Sequence, residues 1–174
     1  MLIVSSVKKS FLVCAVFALS GLYSCIFLVK NWEYATPNLI FYFILLINTF
    51  FSIITFDPMV SKNILFQKNI EILLVAVYLF LSFKIDAPLW FSILGAMLFL
   101  VAIFKYYNLG KVGGFTGLIK RKIFVDVLGL LALLLTLIGV VLGFELASLW
   151  ILAVAFSIVN FYLFFIKPLY ITKI

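Results

Sequence analysis

The sequence predicts an all-α fold: a polytopic integral membrane bundle of six transmembrane helices, arranged as three hairpins with both termini inside. Three observations carry that reading. Of 174 residues, 67% are apolar and only 11% charged, whereas a soluble domain is about half apolar and about a quarter charged. Apolar runs long enough to cross about 30 Å of hydrocarbon recur along the chain, and mean hydropathy is +1.36. The basic residues cluster in alternate connections, the pattern that orients a membrane protein. The expected spans are residues 11–29, 39–56, 64–83, 89–104, 123–144 and 147–166, in one domain covering 1–174.

The first span follows Lys8 and Lys9. Its small residues Ser10, Cys14, Ala18, Gly21 and Cys25 recur at spacings of three and four, so they share one helix face and invite a close neighbour. Lys8, Lys9 and the run ending Leu22-Tyr23-Ser24-Cys25 resemble a bacterial lipoprotein signal. However, tyrosine stands where a small residue is usual, and the apolar run continues past Cys25, so an uncleaved helix is the expectation. The two cysteines lie about 16 Å apart along such a helix, too far for a disulfide.

On the second span, Asn48, Ser52 and Thr55 form a polar stripe. Asn48 falls near mid-membrane, where hydrocarbon offers no hydrogen-bond partner. Either it bonds a neighbouring helix, or it lines a polar site shared with Asn160 of the sixth span. In the third span only residues 72–83 are free of charge. Twelve residues make only about 18 Å of helix, so this span must begin near residue 64, the alternative being a re-entrant segment. Lys68 and Glu71 then sit at the interface, three residues apart on one face, and the expectation is that they pair.

Between the fourth and fifth spans lies KYYNLGKVGGFTGLIKRK, residues 105–122. It is read as a flexible loop whose Lys105, Lys111, Gly113, Gly114, Lys120, Arg121 and Lys122 can meet anionic lipid headgroups at the cytoplasmic face. It lacks the order of a P-loop. The fifth span carries Asp126 on the same stripe as Gly129, Ala132, Thr136, Gly139 and Gly143, with a GxxxG at its end. That stripe points to close packing within the bundle, or against a second copy or another membrane protein. Lys122 precedes Asp126 by four residues, a spacing at which they pair.

With the N-terminus inside, eleven of the thirteen basic residues lie on the cytoplasmic side, leaving Lys30 and Lys84 outside, and Trp32, Trp90 and Trp150 all fall at the outer interface. The expected location is the cell's inner (cytoplasmic) membrane.

Zero histidine excludes, for this chain alone, the membrane enzymes that use imidazole as base or ligand. No metal site, cofactor or nucleic-acid module is expected, and no catalytic signature appears. Ionisable residues within spans are costly and often functional, which singles out Asp126 and Glu71. With Asn48, Ser52 and Asn160 they form the candidate polar, ion or substrate site. Three functional readings follow. The first is a non-catalytic membrane subunit, accessory or immunity-type protein acting by helix packing with membrane partners. The second is a small carrier or the substrate-binding subunit of a transporter, with its site near Asn48, Asp126 and Glu71. The third is an enzyme acting on lipid-linked substrates. Convergence of those three residues on one cavity favours the second, and separate pairing favours the first.

Overall fold

The computed structural model of the protein describes residues 2–59 and 65–170, and among them it contains six α-helices and no strand. They are α1 (Leu2–Phe27), α2 (Trp32–Phe56), α3 (Leu65–Ser82), α4 (Pro88–Gly113), α5 (Gly117–Val141) and α6 (Glu145–Phe161). A 3₁₀ turn, Asp57–Met59, extends α2, and a π-helical turn, Tyr162–Ile166, extends α6. Five of these helices are long and apolar enough to cross a membrane. The sixth, α3, has 18 residues, about 27 Å of helix. Large apolar side chains point outward, Phe11 and Phe165 each being more than 70% exposed. Such a surface suits lipid rather than water.

Local chemistry sets the helix ends. Asn31 caps α2, its side chain accepting from the Glu33 N–H at 3.1 Å, and Thr116 caps α5 through the Ile119 N–H at 3.3 Å. Pro88 opens α4, where its missing N–H costs nothing. Between α5 and α6 the chain makes a Schellman turn. The Phe144 N–H donates to the Gly139 carbonyl at 2.9 Å and the Gly143 N–H to that of Val140 at 3.1 Å. Gly143 has φ +87°, a conformation open to glycine and costly to other residues.

That turn corrects one expectation. A Cβ on Gly143 would meet nothing within 4 Å among the described residues, so the GxxxG is not a continuous helix-packing surface within this bundle. The remaining small residues divide between two neighbours. A Cβ on Gly129 would come 2.5 Å from the Phe99 ring of α4, whereas one on Gly139 would collide with Ser148 of α6. Ala132 packs, half-buried, against the main core.

A second correction concerns residues 105–122, which are almost entirely helical. Helix α4 runs on to Gly113 and α5 begins at Gly117, leaving a connection of three residues. Ending α4 at residue 104 gave too much weight to Lys105, because a lysine two turns from a helix end can still turn inward if a carboxylate awaits it.

The helices close into a ring. Each packs mainly on two others, in the order α1, α2, α6, α5, α4, α3 and back to α1. The pair α4 and α5 is the most extensive. Gly129 admits Phe99, and Gly95 on α4 faces Leu133, so each helix offers a notch to the other's side chain. Chain direction alternates along the sequence, so neighbours in the ring are antiparallel except for the parallel pairs α1/α3 and α2/α6. The starts of α1, α3 and α5 therefore share one end with the ends of α2, α4 and α6; we call this the lysine-rich end. Trp32, Trp90 and Trp150, each at least 40% exposed, mark the opposite end.

Inside the ring the two ends differ. Toward the tryptophan end the centre is filled by Phe41, Phe91, Leu133 and Phe156, with Phe41 and Phe156 ring centroids 4.4 Å apart. Toward the lysine-rich end the helices enclose a cavity.

Candidate functional site

The cavity, about 130 Å³, is lined by five of the six helices. Its rim is charged. From α1 comes Lys9, from the turn after α2 Asp57, from α3 Glu71, from α4 Lys105, and from α5 Lys122 and Asp126. Ring topology explains why residues so far apart in sequence meet: each lies within about two turns of a helix end on the same side of the bundle. Deeper in, the lining becomes apolar, with Phe17, Leu45, Leu98 and Phe99. Lys9 to Phe17 on α1 and Lys105 to Leu98 on α4 both measure about 10–12 Å of helix, which sets the depth of the floor.

The rim charges are linked. Lys9 Nζ lies 2.5 Å from Asp57 Oδ1 and 3.2 Å from Glu71 Oε2, and Lys105 Nζ lies 3.4 Å from Glu71 Oε1. The expected Lys68–Glu71 pair is therefore replaced. Lys68 is exposed, while Glu71 turns inward to two lysines from other helices. Two opposing charges at a part-buried rim outcompete one solvated neighbour on the same helix face. The Lys122–Asp126 pair forms as its spacing predicts, with Nζ to Oδ1 at 2.6 Å, Lys122 and Asp126 being 5% and 1% exposed. Lys122 also sits over the Tyr106 ring, 5.3 Å from its centroid. The second carboxylate oxygen, Asp126 Oδ2, is buried and has no hydrogen-bond partner among the described residues.

Below the rim, hydroxyls tie the helices together. Tyr78 on α3 donates to the Leu45 carbonyl of α2 at 3.0 Å, so Thr49 is the donor in the 2.5 Å contact between the Thr49 and Tyr78 hydroxyls. The Tyr78 ring stacks on Phe17 with centroids 4.2 Å apart. Ser52 and Tyr106 share a hydrogen bond across the ring from α2 to α4.

Asn48 has a partner that sequence reasoning missed. After the π-helical turn the chain folds back, and Tyr170 donates its hydroxyl to Asn48 Oδ1. Burial pushes the Tyr170 hydroxyl well above the ordinary tyrosine range, so it stays a donor. Arg121 holds this segment down through the carbonyls of Lys167 and Pro168, the latter at 3.0 Å.

Neither a protein-family model, nor a curated protein, nor a solved structure matches this chain. Its site must be read from its own residues.

Four of the five candidate polar residues, Asn48, Ser52, Glu71 and Asp126, line the one cavity. Asn160 does not. It is buried on α6, donates to the Phe156 carbonyl of its own helix at 2.8 Å, and leaves its Oδ1 without a partner among the described residues. The candidate anion cluster is dispersed: Lys105 and Lys122 enter the cavity, Lys111 sits over the Tyr107 ring, Arg121 binds carbonyls, and Lys120, Gly113 and Gly114 are exposed. Lys9, Asp57, Tyr78 and Tyr106 were not singled out from sequence. Their signal was position, each lying at or facing the lysine-rich end once alternating helices are assumed. Among the described residues no group of histidine, cysteine and carboxylate side chains could hold a metal ion.

Such an arrangement can desolvate a small solute and offer it charges of both signs above an apolar floor.

Proposed function

We propose that the protein binds a small polar solute in this cavity, as a carrier or as the substrate-binding subunit of a transporter. The observation that carries the reading is the convergence of Asn48, Ser52, Glu71 and Asp126, together with three lysines, on a single cavity. Charges within a membrane bundle are costly, and six of them facing one space call for a use. The packing-subunit reading keeps the support of separate pairing, Asp126 with Lys122, Glu71 with Lys9 and Lys105, and Asn48 with Tyr170, but the small residues of α5 are taken up by Phe99 and Ser148 of the same chain. Catalysis on lipid-linked substrates draws less support still, because the basic residues that would gather phosphate are scattered.

In this reading all six helices cross the inner membrane, α3 included, and the lysine excess supports a cavity mouth at the cytoplasmic face. Phe41, Phe91, Leu133 and Phe156 then form the closed side of the pathway. The test is native mass spectrometry of the protein released gently from its own membrane. A small solute retained by the chain, alone or in a complex, is the expected result. A stoichiometric membrane-protein partner with no retained solute would overturn it in favour of the subunit reading.

A further inference from the structure

Resting on that reading, we infer that the cavity takes a small zwitterion with an apolar tail: one cationic amine, one carboxylate and a short aliphatic chain, the chemistry of a free aliphatic amino acid. Charge balance is the first ground. The lining holds three lysines and three carboxylates, formally neutral in sum. A solute of net charge would leave one charge uncompensated in a poorly hydrated space, whereas a zwitterion gives each of its charges a partner and leaves the sum at zero.

Unused bonding capacity is the second ground. Asp126 Oδ2 is an acceptor with no partner among the described residues, on a side chain 1% exposed that lines the cavity. It calls for a donor, and an ammonium supplies one. Lys105 has three N–H donors and, among the described residues, a single ion pair, a 3.4 Å contact with Glu71, so donors remain for a carboxylate. Lys105 and Asp126 line the cavity from α4 and α5, the most extensively packed pair of helices, so both ends of the solute would be served from one region of the rim.

Size and the floor supply the third ground. An apolar cavity of about 150 Å³ holds benzene, so about 130 Å³ encloses a group of roughly six non-hydrogen atoms, enough for a short aliphatic tail with its charged groups standing at the rim. Leu98 and Phe99 lie below the charges and would receive an aliphatic tail. Ala102, about one turn below Lys105 on α4, stands between the two zones.

The experiment is equilibrium binding of radiolabelled L-leucine to the full-length protein in lipid nanodiscs. Competition follows by glycine, 4-methylpentanoate, which lacks the amine, and 3-methylbutylamine, which lacks the carboxylate. Saturable leucine binding is expected, with each competitor at least tenfold weaker. Asp126→Asn should weaken leucine at least tenfold. Ala102→Leu, which fills the space and keeps every charge, should do the same, and it covers the case in which Asp126→Asn fails to fold. No saturable leucine binding, competitors as strong as leucine, or well-folded variants that bind normally would each overturn the inference. A thermal-shift panel of sugars, nucleobases, polyamines and organic acids separates the two levels. If leucine fails but a panel member binds and Ala102→Leu abolishes it, the zwitterion falls and solute binding stands. If leucine and the whole panel fail, both fall.

Discussion

The Lys122–Asp126 pair shows what a buried charge demands of its surroundings. Both side chains are nearly inaccessible, so removing one leaves the other charge with no hydration beyond what the cavity offers. Breaking a buried pair typically costs about 3–5 kcal/mol, while replacing both members with apolar residues of similar volume is often neutral. We therefore expect Asp126→Leu alone to lower the thermal midpoint in detergent sharply, and the double variant Lys122→Met/Asp126→Leu to recover most of it while still failing to bind solute. A double variant as unstable as the single one would show that the pair holds the fold through more than charge balance. Tyr170→Phe is a milder case. It removes the donor to Asn48 and should cost about 1 kcal/mol. At this scale the sequence was partly legible. Asp126 and Lys122 could be paired from spacing alone, because both lie on one helix. Glu71 could not, because its partners Lys9 and Lys105 are 62 and 34 residues away and only the bundle brings them near.

Helices α4 and α5 depend on glycine at two kinds of position, and substitutions should separate them. At Gly129 a methyl group would press on the Phe99 ring, which lines the cavity floor, so Gly129→Ala should lower both stability and solute affinity. At Gly143 there is free space but a positive φ, so Gly143→Ala should cost about 1–2 kcal/mol of stability and leave affinity unchanged. Midpoints from thermal unfolding, set beside binding constants for the same two variants, check the distinction. Equal loss of affinity in both would count against it. Element boundaries were the less legible part of the sequence. Hydropathy finds apolar centres well: a helix lies at each of the six expected positions, and five of them are long and apolar enough to cross a membrane. It ends a helix at the first lysine, and so it missed that α4 continues through Lys105 and Lys111 to Gly113. Nor does it register the chain's fold back onto the bundle after α6, because that turn owes its place to Arg121 and Tyr170 rather than to any apolar run.

For the whole molecule, the alternation of six helices puts all the rim charges at one end and all three tryptophans at the other. That asymmetry makes orientation in the membrane testable. Single cysteines introduced at Lys120 and at Trp32, in a background with Cys14 and Cys25 replaced by serine, should react oppositely with a membrane-impermeant maleimide in intact cells. The Trp32 site should label from outside, and the Lys120 site only after permeabilisation. The reverse pattern would turn the cavity mouth outward and contradict the lysine distribution. The closed ring also bears on how the chain is made. Its circular order places α5 and α6 between α4 and α2, so the hairpin translated last is the one that completes the circle. When a ribosome has delivered only the first four helices to the insertion machinery, Lys105 and Tyr106 have no α5 beside them, and the half-built barrel stands open to lipid on that flank. If the helices insert in the order of their synthesis, the charged interior would need shelter until the third hairpin arrives to seal it.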